Sequence, residues 1–198
     1  MSELLLATAN PGKQREFAAL LGPCGIELVL QSDLGIPSIE ETGQTFEENA
    51  LLKARHAAAL GKIPALADDS GLEVDALGGR PGVYSARFAG PKASDEDNNA
   101  MLLRELRDRK DGERTARYRC VLALVRSRDD PTPLLAQGTW EGRIASEPKG
   151  QGGFGYDPYF IPEGLERTAA ELSAAQKNAL SHRGAALRAL IARLDAWR

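Results

Sequence analysis

Up to residue 67, short apolar runs alternate with stretches of helical periodicity, and that alternation restricts the chain to a layered α/β architecture. The run Glu3 to Thr8 ends at the turn cluster Ala9-Asn10-Pro11-Gly12. Phe17, Leu20 and Leu21 then mark a helix that closes at Gly22. Ile26 to Leu30 predicts a second strand, followed by a surface loop from Ser32 to Thr45 that carries Glu40-Glu41. Thr45 with Glu48 forms a capping-box pattern. Phe46, Ala50, Ala54, Ala57 and Ala58 line one face of the helix that follows, until Gly61. Pro64 to Ala67 predicts a third, buried strand.

That strand runs into Asp68-Asp69-Ser70-Gly71, which reads as an acidic turn before Leu72, Val74 and Ala76 alternate with Glu73 and Asp75. Ser94 with Asp97 opens a helix with Met101, Leu102, Leu103 and Leu106 as apolar positions, extending toward Lys110. Thr115–Ser127 and Leu134–Ala145 predict a long antiparallel hairpin able to carry a second lobe. Gly150 to Pro162 is a glycine and aromatic loop. Helix returns from Thr168, with Leu187, Leu190, Ile191 and Leu194 as its apolar face.

The chain's 198 residues suit one domain, or two lobes sharing a core. With 25 Lys+Arg against 28 Asp+Glu, the net charge of -3 argues against a general binder of phosphate backbones, although a local basic pocket stays compatible with it. No apolar run approaches the roughly 20 residues of a membrane helix, and the N-terminus lacks a secretory pattern, so a cytoplasmic protein is expected. The two cysteines, Cys24 and Cys120, lack metal or disulfide spacing and read as buried small hydrophobes.

Thr8-Ala9-Asn10-Pro11-Gly12-Lys13 lies where a strand meets a helix, so backbone N–H groups, a flexible glycine and a lysine charge converge. GxxxxGK[ST] is absent and no GxGxxG follows this strand, and both a phosphate and an ordinary turn fit the segment. Asp68-Asp69 places two carboxylates at the end of a buried strand, a costly arrangement unless a cation or hydrogen bonds offset it. Mg2+ answers that demand; an Asx turn or cap is the alternative. A hard cation beside a phosphate chain bridges its oxygens, and a second carboxylate can deprotonate a water. Asn49 and Lys53 share one flank of their helix, where Lys53 is either a solvated residue or a second phosphate contact.

Gly152-Gly153-Phe154-Gly155-Tyr156-Asp157-Pro158 suits two readings. One is a platform on which a planar base stacks with an acid at its edge; the other is a glycine-rich turn with both aromatics buried. Ser181-His182-Arg183-Gly184 opens the last helix with Ser181 as its cap, so His182 and Arg183 can present donors to a ligand, with Lys177 just upstream. No GxSxG is present, which disfavours a hydrolase triad.

Taken together, these residues resemble the inosine triphosphate pyrophosphatase family over nearly the whole chain. The matching blocks are Leu6 to Lys13, Thr45 to Ala50, Ala67 to Leu72, Leu77 to Gly82, Gly153 to Pro158 and Leu180 to Gly184. The resemblance implies residues 1–198 forming a single ITPase-like domain: an elongated mixed central sheet with flanking helices, in two lobes around a nucleotide-binding cleft. It also implies a homodimer that converts dITP, ITP or XTP to the monophosphate and pyrophosphate with Mg2+. By the same resemblance, Thr8, Ala9, Asn10, Pro11, Gly12, Lys13 and Lys53 hold the triphosphate. Asp69 is the proton acceptor and a metal ligand beside Asp68 and Ser70, with Glu40 or Glu41 added to the metal site. Phe154, Gly155, Tyr156, Asp157, Lys177, His182 and Arg183 bind the purine. Donors on His182 and Arg183 favour an O6 acceptor and would be left unpaired opposite adenine's amino group. A non-hydrolysing nucleotide-binding module, a single-stranded nucleic-acid binder and a related enzyme acting on modified pyrimidine triphosphates are the competing readings.

Overall fold

The computed structural model describes residues 3–197. Strands β1 (Glu3–Leu6), β2 (Glu27–Leu30), β3 (Ala65–Val74), β4 (Thr115–Val125), β5 (Leu134–Ile144) and β6 (Phe160–Pro162) form one open sheet in the order β2-β1-β3-β4-β5-β6. Five helices flank them: α1 (Pro11–Leu21), α2 (Phe46–Gly61), α3 (Asp95–Leu106), α4 (Ala174–Leu180) and α5 (His182–Trp197). β1 pairs in parallel with β2, Leu5 opposite Val29, and with β3, Leu5 opposite Ala65. β5 and β6 are antiparallel, so the sheet is mixed, as the family resemblance implies. Residues 126–133 are too short for the crossover that a parallel β4–β5 pair would need.

The backbone divides into two units. The first holds the residues up to Asp69, Cys120–Gly138 and the residues from Arg183 onward. Here the chain leaves β1 through α1 for β2, then returns through α2 to β3 on the other side of β1. Right-handed crossovers in the two directions put α1 and α2 on opposite faces of these strands. Leu4 and Leu6 of β1 and Leu66 of β3 accordingly cluster with Phe17 and Leu21 of α1 and with Leu187 and Leu190 of α5. Leu5, Ala65 and Ala67, of opposite parity, are fully buried, as are Ala50, Ala54 and Ala57 of α2. Thr45 caps α2 in the predicted capping box.

The second unit comprises Ser70–Arg119 and Thr139–His182. Its core joins Leu72 and Val74 of β3, Leu102 and Leu106 of α3, Tyr118 of β4, Trp140 of β5, Tyr156 and Phe160. Ser94 and Asp97 cap α3, which ends at Leu106, short of Lys110.

Two sequence expectations change. Asp68-Asp69-Ser70-Gly71 is no turn but the middle of the ten-residue β3. β3 runs on past the end of β1, which pairs with it at Ala65 and Leu66, with β4 as its neighbour on the other side, and cationic side chains described below compensate the acids. Cys120 is buried, and burial pushes its thiol up to about 12. Cys24 is exposed, because it lies in a short 3-10 turn just after Leu21, the last buried residue of α1. Among the described residues no helix is long and apolar enough to cross a membrane.

Candidate active site

Successive residues of a strand point to opposite faces, so Asp68 faces the α1 side and Asp69 the α2 side. β1 and β3 are also the neighbours at which the chain's two crossovers diverge, the position where open α/β sheets take ligands.

On the α1 side, Asn10 caps the helix, its Oδ1 accepting the Lys13 N–H at 3.0 Å, and Thr8 Oγ1 accepts the Asn10 N–H at 3.2 Å. Pro11 follows as first helical residue, where its missing N–H costs nothing. Gly12 is buried at the start of the helix, and Ala9 is exposed. The cap directs Lys13 inward, where its Nζ lies 2.9 Å from Asp68 Oδ2. Arg183 of α5 reaches the same oxygen through Nη2 at 3.1 Å and Nε at 3.3 Å, while its Nη1 donates to Glu16 of α1. Burial by itself would raise the Asp68 carboxyl, but Lys13 and then Arg183 hold it well below the usual carboxylate range.

On the α2 side, Lys53 Nζ lies 3.2 Å from Asp69 Oδ1 and 2.5 Å from Glu41 Oε1. Glu41 thus joins the group, whereas Glu40 is exposed. Asn49, fully buried, donates from Nδ2 to Asp69 Oδ2 at 3.1 Å and accepts the Gly43 N–H at 2.8 Å. A Cβ on Gly43 would meet Asn49 Oδ1 at 2.6 Å, so only glycine lets the acidic loop approach this closely. Burial pushes the Asp69 carboxyl up; Lys53 opposes the rise and Glu41 adds to it. Burial disfavours the Lys53 ammonium, yet Asp69, Asp68 and Glu41 outweigh it and keep the group charged. The asymmetry follows the ion pairs made by each carboxylate. Asp68 has two cations on it, whereas Asp69 shares a single ammonium with Glu41.

Among the described residues, this group joins the carboxylates Glu16, Glu41, Asp68 and Asp69 with the cations Lys13, Lys53 and Arg183. All three cations are already engaged, so a polyphosphate arriving here needs further positive charge. Asp69 and Glu41 offer hard oxygen donors already converging on a cation, which suits a divalent ion such as Mg2+. Among the described residues no three His, Cys, Asp or Glu side chains cluster as a ready-made metal cage. A two-carboxylate site leaves the other positions of an octahedral ion to water and phosphate oxygens.

Of the residues expected around a base, all but Arg183 lie within the second unit. Asp157 is buried; its Oδ2 accepts from Lys177 Nζ at 2.5 Å and from the Phe154 N–H at 2.9 Å. A Cβ on Gly153 would fall 2.0 Å from that oxygen, and its φ of +75° also requires glycine. Lys177 Nζ sits 4.5 Å from the centre of the half-buried Phe154 ring. Of the two aromatics, only Phe154 retains a platform geometry. Tyr156 is core, its hydroxyl donating to the Ser85 carbonyl at 2.7 Å. Asp157, expected at the edge of a base, is occupied in holding Lys177 and Phe154.

Tyr118 was not legible as a functional residue. Its ring stacks on buried His182, centroids 4.7 Å apart and planes 9° from parallel, and its hydroxyl lies 3.3 Å from Asp157 Oδ1. Burial keeps its phenol protonated as a donor. Its only sequence signal is an inward position in a strand. Glu16 had a better one, three residues after Lys13 on the same helix. Arg183, read as a donor to the base, packs against Asp68 and Glu16, and Ser70 follows Asp69 on β3 with the parity of Asp68.

The chain matches the Ham1 family over residues 4–193. It is 58% identical over 194 residues, 98% of each chain, to the dITP/XTP pyrophosphatase of Thioalkalivibrio sulfidiphilus. To the dITP/XTP pyrophosphatase of Escherichia coli K12 it is 54% identical over 198 residues, 100% of this chain and 99% of the relative. The structure of a HAM1 protein from Coxiella burnetii superposes with a TM-score of 0.90 at 48% identity, covering 99% of this chain and 100% of that one. Full-length agreement in sequence and fold leads to one conclusion: this chain belongs to the Ham1 family.

Proposed function

We propose that this protein hydrolyses non-standard purine nucleoside triphosphates, dITP, ITP and XTP, to the monophosphate and pyrophosphate, clearing them from the nucleotide pool. The observation that carries the mechanism is the unequal neutralisation of Asp68 and Asp69. A carboxyl raised by burial and short of cations is suited to accept a proton, and pairs of carboxyls pushed apart by their surroundings divide such roles. Asp69 takes the proton of a water whose oxygen attacks the α-phosphorus. The α-phosphorus–oxygen bond to the β-phosphate breaks, and pyrophosphate leaves with its electrons.

Asp69 and Glu41 would hold Mg2+, which when bound would offset the charge of the triphosphate. Lys53 stays protonated beside them and takes a phosphate oxygen. Thr8 to Lys13 supply the capped helix start at which the phosphates are held. Asp68 remains ionised and fixes Lys13 and Arg183. Phe154 stacks on the purine, and Lys177 and His182 present donors to its O6 edge. The net charge of -3 supports a small-molecule substrate over a nucleic acid. The family resemblance supports a cytoplasmic homodimer.

The test is product analysis with Mg2+ and ITP, XTP, dITP, GTP or ATP. Monophosphate and pyrophosphate from the first three, with little from GTP or ATP, are expected. Diphosphate plus phosphate would place the attack elsewhere, and equal rates on ATP and ITP would defeat the proposed base selection. Chelation of the divalent ion is expected to abolish turnover and its return to restore it.

A further inference from the structure

Asn98 and Asn99 are buried on α3, a helix whose other inward residues, Leu102 and Leu106, are apolar. Buried amides are retained where they are hydrogen-bonded, and these two bind backbone of two different loops. Asn98 Oδ1 accepts the Ala89 N–H at 2.9 Å, and its Nδ2 donates to the Ala86 carbonyl at 3.2 Å. Asn99 Nδ2 donates to the Gly155 carbonyl at 2.9 Å and to the Asp95 carbonyl at 2.8 Å. One turn earlier on the same flank, Asp95 Oδ2 accepts the Gly155 N–H at 2.6 Å. Both polar groups of Gly155 are therefore held by side chains four residues apart on one rigid helix.

Gly155 immediately follows Phe154 and has a φ of +62°, with open space where a Cβ would stand. The two hydrogen bonds tie its N–H and its carbonyl to α3. On its other side the loop is tied by Asp157 to the Phe154 N–H and by Tyr156 to Ser85. We propose that Asp95 and Asn99 are positioning residues for purine binding: their clamp on Gly155 sets the placement of the Phe154 ring. The proposal rests on the reading of Phe154 as the base platform. It adds two residues that touch no substrate.

The experiment measures kcat and KM for ITP, pyrophosphate inhibition and thermal stability in the full-length wild type, Asp95→Ala, Asp95→Asn and Asn99→Ala. Asp95 is exposed, so its variants are expected to fold even if Asn99→Ala does not. Asparagine at 95 keeps an acceptor for the Gly155 N–H while losing the same helix-terminal charge as alanine, so the difference between the two isolates the clamp. In Asp95→Ala, KM for ITP is expected to rise about tenfold, the effect of one well-made hydrogen bond to a charged group. Its kcat should fall far less and its inhibition by pyrophosphate should not move, and Asp95→Asn should recover most of the loss. An unchanged KM in folded Asp95→Ala overturns the proposal, as does a loss shared equally by pyrophosphate binding. A wild type that forms no monophosphate from ITP removes the function on which the clamp depends, a failure visible before any variant is compared.

Discussion

Asp68 and Asp69 are consecutive in sequence, both buried, and electrostatically opposite. The α1 side of β3 surrounds Asp68 with Lys13 and Arg183; the α2 side gives Asp69 one ammonium, shared with Glu41. The first side thus forms a compensated ion cluster. The second is left short of positive charge, where a divalent ion and a proton can enter. Burial is common to both, so burial does not separate a structural carboxylate from a reactive one. The number of cations on each does.

The sharpest test exchanges charge at the two positions. Asp69→Asn removes the proposed base at nearly constant volume, and turnover is expected to fall about 10^2- to 10^4-fold. Its melting temperature should not fall, because the charged form is the disfavoured one there; a clear loss of stability would put Asp69 in the same class as Asp68. Asp68→Asn should do the reverse. It removes the shared partner of buried Arg183 and half-buried Lys13, a loss of about 3–5 kcal/mol in denaturant titration. Equal stabilities of the two variants would break the comparison.

Glu41→Gln acts only on the α2 side. The concentration of Mg2+ giving half-maximal rate is expected to rise about 10- to 100-fold, as for the loss of a metal-supporting group. An unchanged Mg2+ dependence would remove Glu41 from the ion's ligands.

The smallest effect concerns Asp130, a buried acid in the β4–β5 connection. Burial would raise its carboxyl, but the backbone N–H groups of Arg126 and Thr132 lower it, with Arg126's charge contributing. Its folded pKa lies below the unfolded one, so its contribution is present above about pH 4 and is lost as the pH falls toward the folded value. Asp130→Asn should flatten that acid limb in thermal melts across pH. If the limb is unchanged, hydrogen bonds from the backbone do not do at Asp130 what cations do at Asp68.

Much of this was readable without coordinates, for identifiable reasons. Thr45 with Glu48 and Ser94 with Asp97 are local devices, and both capping boxes form as read. Phe17 and the alanine stripe of α2 are buried as their periodicity requires. The pairing of Asn49 with Lys53 held because four residues make one helical turn. Failures came where a local signal competed with distant partners. Asp-Asp-Ser-Gly has the composition of a turn, but it continues a strand that β1 pairs at Ala65 and Leu66 and that β4 neighbours, and three cations compensate its acids. Tyr156 and Phe154 are equivalent as aromatics in a glycine loop, and only the Ser85 carbonyl assigns Tyr156 to the core.

By itself the sequence determined the α/β layering, the helix caps and the residues able to carry chemistry, since each depends on contacts within one or two turns of the chain. The tertiary structure decided what each of those residues does. Arg183 meets Asp68 across 115 residues, and nothing local distinguishes it from a donor to a base. Once β3 forms, strand geometry sends neighbouring acids to opposite faces. The charges waiting on each face depend on the crossovers through α1 and α2. In a buried site, those distant charges set whether a carboxylate stays ionised or is free to take a proton.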